Sequence, residues 1–173
     1  DWDMGNLLFR SLSAYNDSEV IYKNLDLDGS DVVRSINIST NTAYETFTQE
    51  FQLLSNNESP LQWILGLFHY NENSAYTESL NIDNLFVVGG PDTIIETQVD
   101  PEAQALGVFG QLEYSVNDKL EVIAGLRYNN DEKTNFGTLF LPDFGLVGPN
   151  GEPLVLVDDS EEWTQVTGKI GLN

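Results

Sequence analysis

Three sets of residues in this chain have the types and spacing from which chemistry could be built. Asn24-Leu25-Asp26-Leu27-Asp28-Gly29 begins like a calcium loop. Such a loop sets oxygen ligands at alternate positions, a glycine at the sixth and a bidentate glutamate at the twelfth. Here the twelfth position is Ser35, so Asp26, Asp28 and Asp31 form only a partial oxygen set, and an acidic turn is the plainer reading. His69 is the single histidine and there is no cysteine, which removes histidine-based metal sites, thiolate metal sites and thiol catalysis. Nothing adjacent to His69 in sequence supplies a nucleophile, a base or an orienting acid, so it is not expected to be catalytic. Beside Tyr70, it suits an aromatic belt at a membrane interface. Arg127 and Lys169 form the third set: isolated bases in otherwise neutral segments. No catalytic residue, bound metal or cofactor is expected.

The segments carrying these residues alternate with period two. Leu120, Val122, Ala124, Leu126 and Tyr128 share one face of an extended chain, and Glu121, Ile123, Gly125, Arg127 and Asn129 share the other. Upstream, Leu106, Val108, Gly110, Leu112 and Tyr114 alternate with Gly107, Phe109, Gln111 and Glu113, and Asn117 to Lys119 join the two runs as a tight hairpin. Runs of about ten residues with this dyad repeat, and aromatics near their ends, fit the wall of a membrane β-barrel. The expected class is therefore all-β, an antiparallel up-and-down transmembrane barrel segment.

Six strands are expected, at about 6–16, 44–55, 61–72, 104–116, 119–130 and 163–173. Long connections (17–43, 73–102, 131–162) alternate with short turns, the sorting by end that outer-membrane barrels show. Apolar stretches inside the long connections lead us to expect that the strands continue into them as hairpin extensions. Six strands cannot close, and an open spanning sheet leaves unpaired edges, so a section of a larger barrel is expected. The alternation assigns Phe47, Phe51, Leu53, Leu106, Val108, Leu112, Tyr114, Leu120, Val122, Leu126, Tyr128, Val166, Ile170 and Leu172 to lipid. It assigns Glu50, Gln52, Gln111, Glu113, Glu121, Arg127 and Lys169 to the lumen, because a base at mid-membrane on the lipid face costs ~2–4 kcal/mol. Arg127 and Lys169 are expected to pair with Glu50, Glu113 or Glu121, or with residues of a plug.

The formal charge is −21, and the segments 16–43, 71–102 and 130–162 hold 20 of the 28 acids but only Lys23, Arg34 and Lys133 as bases. The connections are strongly acidic while the strands are nearly neutral, so nucleic-acid binding is disfavoured. The longest apolar run, Trp63 to Phe68, is too short for a spanning helix, which needs ~20 residues.

Four blocks resemble the barrel of TonB-dependent outer-membrane receptors of the siderophore-receptor kind. They are Phe47 to Leu53 with Leu61 to Phe68; Val108-Phe109-Gly110-Gln111; Leu120 to Tyr128 with Asp131-Glu132-Lys133; and Trp163 with Thr167 to Asn173. The similarity covers roughly 6–16, 44–72, 104–133 and 163–173. It implies a bacterial outer-membrane location and import of a large nutrient such as a ferric siderophore. It also implies contact with outer-membrane lipid and coupling to the inner-membrane TonB complex through a plug domain. Neither a plug nor the coupling box is recognisable here, and such barrels have about 22 strands, so the resemblance implies a mid-barrel section without transport activity of its own. Two other readings share the alternation: a passive porin wall, and a soluble β-sandwich or lipocalin-like binding module that turns its apolar face inward.

Overall fold

A computed structural model describes residues 1–27, 29, 36–83, 92–141 and 147–173. Seven strands run through them: β1 (Trp2–Asp3), β2 (Leu7–Asp26), β3 (Ile36–Ser55), β4 (Leu61–Ile82), β5 (Thr93–Asn117), β6 (Leu120–Phe140) and β7 (Leu154–Leu172). They form one sheet in the order β1-β2-β3-β4-β5-β6-β7, and each strand pairs antiparallel with its sequence neighbour. This is an up-and-down sheet with no crossover. The sequence reading has six strands; the extra one, β1, is two residues long, too short to carry an alternation. It is held to β2 through Trp2 opposite Phe9 and Asp3 opposite Leu8.

The strands are long. β2 to β7 have between 19 and 25 residues, whereas ~9–11 tilted residues cross a bilayer. Much of each connection that the sequence marks as a long loop is strand: 17–26 and 36–43, 73–82 and 93–102, 131–140 and 154–162. Alternation of apolar residues fails there, but neighbouring backbones keep pairing. The short turns are closed by side chains. Asn57 Oδ1 accepts from Ser59 N at 2.9 Å, Gln62 Nε2 donates to the Asn57 and Ser59 carbonyls, and Asn117 Oδ1 accepts from Lys119 N at 2.9 Å. These are Asx-type turns, in which a short amide side chain stands in for the next backbone carbonyl.

The sheet is a single layer. Among the described residues the only buried apolar side chain is Leu141, while Val108, Leu112 and Leu126 are 51%, 50% and 62% exposed. Among the described residues no second sheet covers the apolar face, which overturns the sandwich reading, since burial against another layer is what a sandwich requires. None of the described residues forms a helix long and apolar enough to cross a membrane.

Candidate functional site

Directly opposed residues in an antiparallel pair point to the same face, so the pairing register assigns every side chain. One row runs Ser11, Phe51, Leu67, Val108, Tyr128, Val166; the next toward the short turns runs Phe9, Leu53, Leu65, Gly110, Leu126, Gly168. Extended along each strand, this face holds all fourteen side chains that the alternation marks as apolar, from Phe47 to Leu172. The opposite face holds Glu50 and Gln52 on β3, Gln111 and Glu113 on β5, Glu121 and Arg127 on β6 and Lys169 on β7.

The apolar face ends abruptly. Beyond Tyr15, Phe47, Leu106, Tyr128 and Val166 the same face carries Asp17, Glu45, Gln104, Asn130 and Thr164. This border slopes across the sheet. The row that begins with Tyr15 and Phe47 continues through Asn71 and Gln104 to Glu132 and Glu162, so by β6 and β7 the border has moved to Tyr128 and Val166, four residues back. A shift of just under one residue per strand, at ~3.3 Å per residue and ~4.8 Å between strands, corresponds to a tilt of roughly 30°. Transmembrane barrel strands tilt by ~35–45°. A level plane cutting tilted strands produces this slope.

Polar groups on the apolar band are satisfied internally. Gln49 lies between Phe47 and Phe51 and was not singled out by the alternation. Its Nε2 donates to Ser11 Oγ and to the Leu12 carbonyl, both at 3.0 Å, and its Oε1 accepts from Ser13 Oγ. Hydrocarbon offers no hydrogen bonds, so polar atoms there need protein partners. His69 sits on the same face at the border, its ring centroid 6.3 Å from that of Phe47. Tyr70 points to the other face and donates its hydroxyl to Glu72.

On the opposite face four acids are held by neutral donors two residues away on their own strands. Gln52 donates to Glu50, Gln111 to Glu113, Tyr70 and Ser74 to Glu72, and Tyr76 to Glu78. The period of two makes these contacts, and the Tyr-x-Glu and Gln-x-Glu spacings are visible in the sequence. In the strand extension beyond the apolar band, the Tyr76 phenol is pushed up to about 12, first by its hydrogen bond to Glu78, then by burial and the Glu78 charge.

Arg127 and Lys169 form none of the ion pairs expected with Glu50, Glu113 or Glu121. The one salt bridge among the described residues joins Arg10 to Asp1 at 2.9 Å. Arg127 Nε donates to Asn129 Oδ1 at 2.7 Å, and the guanidinium lies 5.7 Å from the Phe68 ring and 5.8 Å from the Phe109 ring. Glu50 and Glu113 are held by glutamines, and Glu121 accepts from Asn173 Nδ2 at 3.1 Å. Each of these acids is taken by an amide within reach, which leaves Arg127 to aromatic and amide partners. Of the partial calcium set, Asp28 and Asp31 lie outside the described residues; Asp26 Oδ1 accepts from Gly29 N at 3.0 Å, as an acidic turn would. No cluster of metal-ligating side chains occurs among the described residues.

The family model for the TonB dependent receptor-like β-barrel matches residues 1–173, the whole chain. The chain belongs to the TonB-dependent receptor β-barrel family. The crystal structure of the ferric yersiniabactin uptake receptor FyuA from Yersinia pestis superposes with a TM-score of 0.67 at 13% identity, over 99% of this chain and 24% of that one. At that identity the likeness is one of fold, and this chain spans about a quarter of that receptor's length. Curated proteins give no significant match.

Proposed function

We propose that this sheet is a section of the wall of an outer-membrane receptor barrel, with its apolar face in lipid and its mixed face lining the lumen. The acid-rich strand extensions then stand outside the membrane. The barrel around it imports a large nutrient, of which a ferric siderophore is one example, driven by the inner-membrane TonB complex acting through a plug. The observation that carries this reading is the bare apolar band, uncovered by any second layer and bordered by polar residues along a line tilted as a barrel demands. Along β5 from Leu106 to Tyr114 the band is ~27 Å long at ~3.4 Å per residue, or about 20 Å along the membrane normal, near the ~25 Å band of outer-membrane barrels.

The wall makes and breaks no bonds in this reading. It holds a pore open and presents the extensions to the medium. Depth-dependent labelling tests the placement. Single cysteines introduced at Leu67, Val108 and Leu126 in the receptor should react with lipid-soluble and not with water-soluble maleimides, and cysteines at Glu102 and Asn73 should react with the water-soluble reagent from outside the cell. Equal aqueous labelling of both sets would remove the membrane placement.

A further inference from the structure

We propose that Arg127 and Lys169 together form a receptor for a carboxylate within the lumen; the proposal rests on the lumenal placement of the mixed face given above. Both side chains line one cavity of about 340 Å³, together with Phe109, Gln111 and Thr167. Each base lies over a glycine of the neighbouring strand. A Cβ at Gly107 would lie 3.1 Å from Arg127 Nη2, and one at Gly125 would lie 3.1 Å from Lys169 Cε. Phe109 lies in the same way across Gly66, where a Cβ would fall inside its ring. These long side chains therefore lie along the wall, which leaves room for a body fitting closely against it.

The guanidinium is fixed before any ligand arrives. Asn129 holds Nε, and the ring centroids of Phe68 and Phe109 lie 5.7 and 5.8 Å from the guanidinium carbon. With Nε engaged, the two terminal nitrogens remain to donate in parallel to a planar anion, the fork geometry that a carboxylate matches. Lys169 adds a second positive charge on the same cavity and Thr167 a hydroxyl. Glu113, two residues from Gln111 on this face, is engaged by that glutamine's amide and is not ion-paired to either base. Two like charges share a cavity whose lining holds no acid, and an occupied lumen strips away the water that otherwise offsets them. A carboxylate meets that need.

The carboxylate comes from one of two sources: an acidic side chain of a protein segment seated in the lumen, or a free organic anion in transit. The test uses the complete receptor in detergent, with Arg127→Leu, Arg127→Lys and Lys169→Met, each checked for membrane insertion. Two readouts are taken without nutrient: amide hydrogen exchange of segments inside the lumen, and calorimetric binding of citrate as a free tricarboxylate at low salt. If a protein carboxylate fills the site, R127L and K169M speed exchange of one lumenal segment by about tenfold or more, R127K does so less, and citrate does not bind. If the site takes a free anion, citrate binds the parent and binds R127L and K169M about tenfold or more weakly, with exchange unchanged. Neither readout moving in well-inserted variants overturns the carboxylate site and leaves the barrel reading standing. Failure of R127L and K169M alike to insert overturns the lumenal placement and this site with it.

Discussion

Replacing Leu65 with arginine measures directly whether the apolar face meets hydrocarbon. Leu65 is 55% exposed, lies opposite Leu53 on β3 and Gly110 on β5, and occupies the middle of the band on β4 between Leu61 and His69. Four residues separate it from each, which is ~13 Å along the strand at ~3.3 Å per residue. At a tilt of ~40° the site is about 10 Å from either border, close to the midplane, where arginine on the lipid face costs ~2–4 kcal/mol. That penalty lowers the folding equilibrium in lipid by roughly 30- to 700-fold, at ~1.4 kcal/mol per factor of ten. The control is Asn73→Arg, on the same face and strand but past the border, where the register sets it between Glu45 and Glu102. An arginine there is hydrated and beside two carboxylates, so its effect should be within ~0.5 kcal/mol of zero. The assay is equilibrium unfolding of the complete receptor in lipid vesicles, followed by the heat-sensitive shift in gel mobility. An L65R penalty no larger than that of N73R would mean that this face does not lie in lipid.

Four further outcomes are expected. Arg127→Leu should leave insertion of the complete receptor intact, because the substitution removes a base from the lumenal face; a marked fall in the inserted fraction would reverse the assignment of faces. Replacing Ser11 and Ser13 together with alanine should destabilise the receptor by ~1–3 kcal/mol by stranding the Gln49 side-chain oxygen in lipid, whereas adding Gln49→Leu to that pair should restore most of the loss, as read by denaturant titration in vesicles. Gly66→Ala should cost ~1–3 kcal/mol because the new methyl collides with the Phe109 ring, and Phe109→Leu in the same chain should relieve it. The Tyr76 phenol titrates higher in the folded state, so the stability contributed by its bond to Glu78 is complete below pH 10 and disappears as pH rises toward about 12. Phenolate absorbance should show one fewer high-titrating tyrosine in Tyr76→Phe, and hydrogen exchange of the outer part of β4 should lose its alkaline dependence.

Which side chains share a face was legible in the sequence, because the period of two is a property of each extended strand on its own. Leu106 to Tyr114 and Leu120 to Tyr128 could be divided without knowing what lies beside them, and so could Gln111 with Glu113 and Tyr76 with Glu78. The turns at Asn57 and Asn117 were equally local. The reach of the strands was legible only in part: apolar stretches in the long connections pointed to hairpin extensions, and the length of those extensions was not written there. Beyond residues 16, 72 and 130 the alternation fades, and β2, β4 and β6 persist because neighbouring backbones continue to pair. Register between strands is a property of all the hairpins together, and it alone decided three things. It tilted the border of the apolar band from Tyr15 down to Val166. It brought Ser11 and Ser13 to Gln49, which makes a glutamine tolerable in that band. It also seated Arg127 between Phe68 of β4 and Phe109 of β5 in place of the acids that the sequence offered it. One strand's chemistry fixes what it presents to either side; only its neighbours fix what each presented group meets.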